Sequence, residues 1–154
     1  MIHDLTLMAH VIGATVLIGS GAAIAFFMLA AHLTRAPETV ARVAGLVVLA
    51  DWLFTATAAV AQPITGYALT RMGGWPLTAP WVAWSLGLYV LVGALWLPVV
   101  AIQIRMRDLA RAAAAAGEAL PPAYRRLFRI WIACGAGAFP AVLAILWLML
   151  TKPG

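Results

Sequence analysis

Four apolar stretches constrain this chain more than any other feature: about Leu5 to Ala31, Val43 to Thr70, Pro80 to Ile104 and Ile130 to Leu150. Each has the ~20 residues that a helix needs to cross the hydrocarbon core of a bilayer. Lipid offers the backbone no hydrogen bonds, so segments of this length must satisfy their own amides as helices. The expected fold class is therefore all-α, an integral membrane four-helix bundle formed as a single transmembrane domain over residues 1–154. Composition agrees: 65% of the residues are hydrophobic and 10% are charged, far from the mix of a soluble domain. The first stretch lacks a basic leader and exceeds the ~7–15 residues of a signal-peptide core, so it is expected to stay in the mature protein. The single cysteine, Cys134, lies within the fourth stretch and excludes an intramolecular disulfide.

Basic residues set the expected orientation. Arg35 and Arg42 fall between spans one and two, while Arg105, Arg107, Arg111, Arg125, Arg126 and Arg129 fall between spans three and four or at their edges. The opposite side carries Arg71 and Lys152 alone. This bias predicts both termini outside the cytoplasm, with the connection 105–129 inside. The net charge of +5 then reflects basic loops facing anionic headgroups and calls for no nucleic acid. Within that connection, RMRDLARAAAAAGEALPPAYRRLFR reads as a cytoplasmic continuation of helix three, stopped by Gly117 and the Pro121-Pro122 pair. The outer loop RMGGWPLTAP is short, with Trp75 and Trp81 expected as interfacial anchors.

Polar residues inside the spans are costly and so informative. Asp51, Thr55, Gln62 and Thr65 follow helical spacing along span two and are expected to share one face. Ser85, Tyr89, Trp96 and Gln103 repeat that register along span three, and the two faces are expected to meet. Span one offers His10, Gly13, Leu17 and Gly21; span four offers Cys134, Gly137, Ala141 and Ala144. Small residues of this kind let helices pack closely. Asp51 lies ~12 Å along span two, where Arg105 or Arg129 entering from the same side is the expected ion partner; an ion pair and a functional carboxylate are both open roles for it. Pro63, Pro98 and Pro140 each remove one backbone hydrogen bond, freeing carbonyls and bending their helices.

His10 is the residue with the most specific chemistry. It sits ~8 Å inside the outer edge of span one, level with Gln62, Thr65 and Gly66 of span two and Ser85 of span three. Two roles fit a neutral imidazole there: a hydrogen bond to Gln62, Thr65 or a carbonyl freed by Pro63, or axial ligation of haem iron from an inward helix face. In the second, Gly13 and Leu17 on one side, and Gln62, Thr65 and Gly66 on the other, are expected to leave room for a flat macrocycle.

Longer segments carry a family resemblance. AHVIGATVLIGSGAAIAFFMLAAH, ADWLFTATAAVAQPITG, ALWLPVVAIQIRMRDLARAA and YRRLFRIWIACG together resemble a widespread bacterial family of small four-span membrane proteins of unknown function, of the DUF2269 type, over nearly the whole chain. More distantly, the opening histidine, the TG late in span two and the PW opening span three are similar to copper-resistance D domains and haem-dependent protoporphyrinogen oxidases. The resemblance implies haem b bound by the span-one histidine, here His10. The oxidases also use a lysine early in span three; PWVAWSLGLY has none, with Trp84 or Ser85 in its place, so protoporphyrinogen oxidation is not implied.

Two functional expectations follow. One is a haem b protein of the bacterial inner membrane with a redox or electron-transfer role, quinol as a possible partner, His10 as metal ligand, Met149 as a candidate sixth ligand and Arg71 beside the haem propionates. The other is a non-enzymatic assembly or metal-handling subunit without haem. His3 and His32 lie at opposite ends of span one and cannot both join His10 on one iron. Methionines 8, 28, 72, 106 and 149 are scattered in depth and form no copper pathway.

Overall fold

A computed structural model describes residues 1–153. Its elements are α1 (Ile2–Thr34), α2 (Pro37–Ala50), a π-helical turn (Asp51–Thr55), α3 (Ala56–Met72), α4 (Pro80–Ala116) and α5 (Pro122–Thr151). The segment Pro37–Met72 runs through α2, the π turn and α3 as one membrane-length helix, so four helices are long and apolar enough to cross a bilayer.

Local chemistry explains the boundaries. Pro37, Pro80 and Pro122 open α2, α4 and α5 at first-turn positions, where the missing N–H has no intrahelical acceptor to lose. Gly117 ends α4 at φ 67°, a left-handed conformation that a Cβ would oppose. There the Glu118 N–H returns to the Ala113 carbonyl at 2.9 Å. At the other arginine-bearing turn, Arg35 adopts φ 56° and reverses the chain between α1 and α2 within two residues.

The core lies at the arginine-rich end. Met28 and Ala31 of α1, Val40 and Ala44 of α2, Met106 and Ala110 of α4, and Tyr124 and Phe128 of α5 are buried together there. Phe26, Leu46, Trp52, Val60, Trp84, Leu97 and Trp147 point outward, the expected disposition when lipid is the solvent. Lipid tails are as apolar as these side chains, so close packing and hydrogen bonds, rather than exclusion of water, join the helices. Toward the chain termini the bundle divides. There α3 packs on α1 and α4 on α5, while α3 makes no more than isolated approaches to α4. A small satellite cluster of Ala79, Trp81, Val82 and Met149 closes the α4–α5 side. Trp81 is only 5% exposed, so it is a packing residue and not the lipid-facing anchor its position suggested; Trp75 meets it edge-on at 5.5 Å.

The π turn corrects the single polar face expected for span two. A π turn accommodates one more residue than an α turn, which rotates everything after it by about 100°. Asp51 consequently faces α4, where Trp96 Nε1 donates to its Oδ1 at 3.3 Å. Gln62 and Thr65 face α1 and bond to His10. Thr55, within the turn, meets Ser20 of α1 at 3.1 Å.

Candidate functional site

The His10 site is built where α1 and α3 cross. His10 Nδ1 lies 2.7 Å from Thr65 Oγ1, which is itself 2.8 Å from the Ala61 carbonyl oxygen. A hydroxyl has one proton and a carbonyl can only accept, so Thr65 donates to Ala61 and His10 Nδ1–H donates to Thr65. That fixes the tautomer: Nε2 is the nitrogen with the free lone pair. Gln62 Nε2 donates to the His10 backbone carbonyl at 2.8 Å, tying the same turn of α1 to the preceding turn of α3.

Two glycines make the crossing possible. A Cβ on Gly13 would stand 2.3 Å from Gln62 Nε2, and a Cβ on Gly66 would stand 3.2 Å from His10 Cε1. The Gln62 amide therefore occupies the space beside Gly13, and the His10 ring occupies the space beside Gly66. These volumes are filled by the protein's own side chains, which leaves no room for a macrocycle between α1 and α3. What fits haem here is the donor chemistry: one fixed imidazole with an uncommitted Nε2, whose other nitrogen bonds to a hydroxyl, as outer-sphere partners of metal-binding histidines do.

His10, Gly13, Gln62, Thr65 and Gly66 thus form one constellation. Leu17, half-buried on α1, has no polar contact to add to it. Ser85 is buried but spends its hydroxyl on the Trp81 carbonyl within α4, at 2.7 Å, and does not reach the set. Arg71 is exposed in the last turn of α3. Met149 packs against the Trp81 cluster on the α4–α5 side. Among the described residues no group of three or more His, Cys, Asp or Glu side chains converges on a metal-sized point.

Tyr89 has a role that the sequence did contain. Pro63 lacks the N–H that would bond to the carbonyl four residues back, and that carbonyl belongs to Ala59. The Tyr89 hydroxyl of α4 donates to the Ala59 carbonyl oxygen, reaching across from a helix that otherwise stands apart from α3. The signal was a proline at i and a membrane-embedded tyrosine at matching depth.

Asp51 is 3% exposed and has no arginine partner, contrary to the ion pair expected with Arg105 or Arg129. Among the described residues the ion pairs are Met1 N-terminus–Asp4, His3–Asp4 and Arg107–Asp108. The physical reason is facing: Asp51 points at Trp96 of α4, whereas Arg105 and Arg129 are exposed. Asp51 Oδ2 and Gln103 Oε1 are both buried without a hydrogen-bond donor.

An apolar cavity of about 610 Å³ lies between α1 and α2, lined by Thr15, Gly19, Ala23, Phe27, Leu46 and Phe54 among others. His10 does not line it, and its walls carry no ligating side chain. A second cavity, of about 370 Å³, opens at the arginine-rich end between His32, Pro122, Arg125, Phe128 and Arg129.

No curated protein and no solved structure matches the chain. One family model does, described as a predicted integral membrane protein, DUF2269, and it aligns with residues 4–153. Four membrane-length helices, a lipid-facing apolar exterior and this match over almost the whole length lead to one conclusion: the chain belongs to the DUF2269 family of integral membrane proteins.

Proposed function

We propose that this protein is a haem b-binding, multi-pass protein of the bacterial inner membrane with a redox role, in which His10 Nε2 would hold the iron. The observation that carries the reading is the Nδ1–H···Oγ bond from His10 to Thr65, which presents a lone pair on Nε2 from a fixed ring. Haem, when bound, would supply one-electron chemistry; the protein's part is to hold the ring, set its tautomer and exclude water. Quinol is the proposed electron partner, and the apolar cavity between α1 and α2 supports it, because its lining begins at Thr15, about 7.5 Å along α1 from His10. Arg71, in the last turn of α3 at the His10 end of the bundle, is the proposed propionate partner, and the proposed orientation puts that end outside.

A second reading, a non-enzymatic assembly or metal-handling subunit without haem, is favoured by one specific observation. His10 and Gln62 fill the spaces beside Gly66 and Gly13, so the constellation also works as a lock between α1 and α3. A visible spectrum separates the two. Protein expressed with ample haem should show a Soret band that sharpens on reduction, and His10→Ala should abolish it while His3→Ala and His32→Ala keep it. Thr65→Val, which removes the acceptor for Nδ1–H, should weaken haem retention about 10–100-fold. Folded, monodisperse and colourless wild-type protein overturns the haem proposal and leaves the lock.

A further inference from the structure

The cavity at the arginine-rich end is not used by the His10 site and has its own chemistry. His32 of α1 stacks on Phe128 of α5, with ring centroids 3.7 Å apart and planes 6° from parallel. Its Nδ1 is 3.3 Å from the hydroxyl of Tyr124, a residue with no exposed surface. That hydroxyl has no other hydrogen-bond partner among the described residues, so its proton goes to Nδ1. The opposite nitrogen, Nε2, then carries the ring's proton and is a donor. The aromatic stack continues from Phe128 to Trp131, at 5.6 Å, which fixes the wall in place.

Around this fixed donor stand cations without counter-ions. Arg125 and Arg129 line the cavity one helical turn apart on α5, and Arg35, three residues after His32 at the end of α1, is a further cation at this end of the bundle. None of the three is paired with a carboxylate among the described residues, although Glu38 and Glu118 belong to the same end of the bundle. Depth is the remaining constraint. His32 follows directly on the apolar stretch of α1, and Arg129 directly precedes that of α5, so the cavity lies at the level where hydrocarbon gives way to headgroups.

We propose that this cavity is a binding site for a phosphate group, with the two guanidiniums of Arg125 and Arg129 and the Nε2–H of His32 as its donors, and with the headgroup phosphate of an anionic phospholipid as the occupant. Guanidinium suits phosphate because its planar set of N–H donors matches two oxygens at once. Basic pockets between transmembrane helices at the cytoplasmic interface are suited to anionic headgroups. A zwitterionic lipid brings a choline group that the three cations repel. The site joins α1 to α5 at the end where the core is packed, so an occupant there also braces the bundle.

The test uses the full-length chain in maltoside micelles, with thermal unfolding as the readout. Dioleoylphosphatidylglycerol should raise the melting temperature saturably, and dioleoylphosphatidylcholine should not. Arg125→Gln with Arg129→Gln should raise the half-saturating lipid concentration roughly thirty-fold, whereas Arg105→Gln with Arg107→Gln, outside the cavity, should leave it unchanged. His32→Phe keeps the stack on Phe128 and removes the ring N–H; it should also weaken the response, and it carries the test with Arg129→Gln alone if the double variant fails to fold. Inorganic phosphate that saturates the same transition, and loses its effect in those variants, supports the phosphate site with a soluble source. Equal responses to the two lipids, or equal losses from the Arg105/Arg107 and Arg125/Arg129 variants, overturn the site in favour of diffuse surface charge.

Discussion

Replacing Gly13 with alanine tests the crossing of α1 and α3 directly. The new Cβ would fall 2.3 Å from Gln62 Nε2, so the amide has to leave and its bond to the His10 carbonyl is lost. That carbonyl keeps its own helical N–H, but the amide is stranded in a buried, apolar setting. A hydrogen bond between membrane helices contributes about 0.6 kcal/mol, and at most about 1.7. A buried amide left unsatisfied adds roughly 1–3 kcal/mol. Against this stands the helix preference of alanine over glycine, about 1 kcal/mol in water, and much less here because lipid keeps the helices formed even when they separate. Gly13→Ala should therefore destabilise by roughly 1–3 kcal/mol. Gly21→Ala, on the same helix with nothing within 4 Å of its Cβ, should change stability by less than about 0.5 kcal/mol. Gln62→Ala removes the obstacle, so adding Gly13→Ala to it should cost nothing further. Reversible unfolding in mixed micelles measures all four proteins as one double-mutant cycle. Additive effects, or a Gly13→Ala protein as stable as Gly21→Ala, would show that Gln62 does not occupy the Gly13 gap.

Other expectations rest on the polar contacts inside the bundle. Tyr89→Phe strands the Ala59 carbonyl and should cost about 1–2 kcal/mol; Pro63→Ala restores a backbone donor to that carbonyl, so the double variant should unfold close to wild type, and failure of that rescue would break the assignment. Asp51→Asn keeps an acceptor for Trp96 and removes an ionisable group from a buried position, so stability should be unchanged or higher by about 1 kcal/mol. Marked destabilisation by Asp51→Asn, with an equal loss from Arg105→Gln or Arg129→Gln in thermal unfolding, would restore the ion pair. Topology reporters should be active outside the cytoplasm when fused at the C terminus and inside it when inserted at Gly117; inversion would reverse the proposed orientation.

Span number and helical class were legible because the bilayer leaves the backbone little choice, and hydropathy alone finds such segments. The meeting of His10 with Thr65 and Gln62 was legible too, since depth along two antiparallel helices can be counted in rises of about 1.5 Å. The facing of Asp51 was not. Its phase depends on the π turn at Asp51–Thr55, and DWLFT carries no glycine or proline to mark one. Ser85 shows the same limit from another side: its depth matches His10, but the hydroxyl turns back to Trp81 of its own helix. The Pro63–Tyr89 relation was present as two separate observations, a freed carbonyl and a polar side chain in register, and needed only to be counted four residues back to Ala59. The fit of Gln62 beside Gly13 was out of reach because small residues announce close approach without saying what approaches.

The widened turn at Asp51–Thr55 also determines which edits to the gene this span can absorb. Substitutions there act locally, on one side chain and its neighbours. Deleting one of the five while the ladder returns to i→i+4 removes the extra residue and the widened turn together and leaves the facing of α3 unchanged, whereas deleting one residue of α2 with the widened turn kept would swing all of α3 by about 100° relative to the start of the span. Gln62 and Thr65 would leave His10 together, and the Ala59 carbonyl would turn away from Tyr89. The widened turn is therefore the one place in this span where a residue can be lost without turning Gln62 and Thr65 from His10.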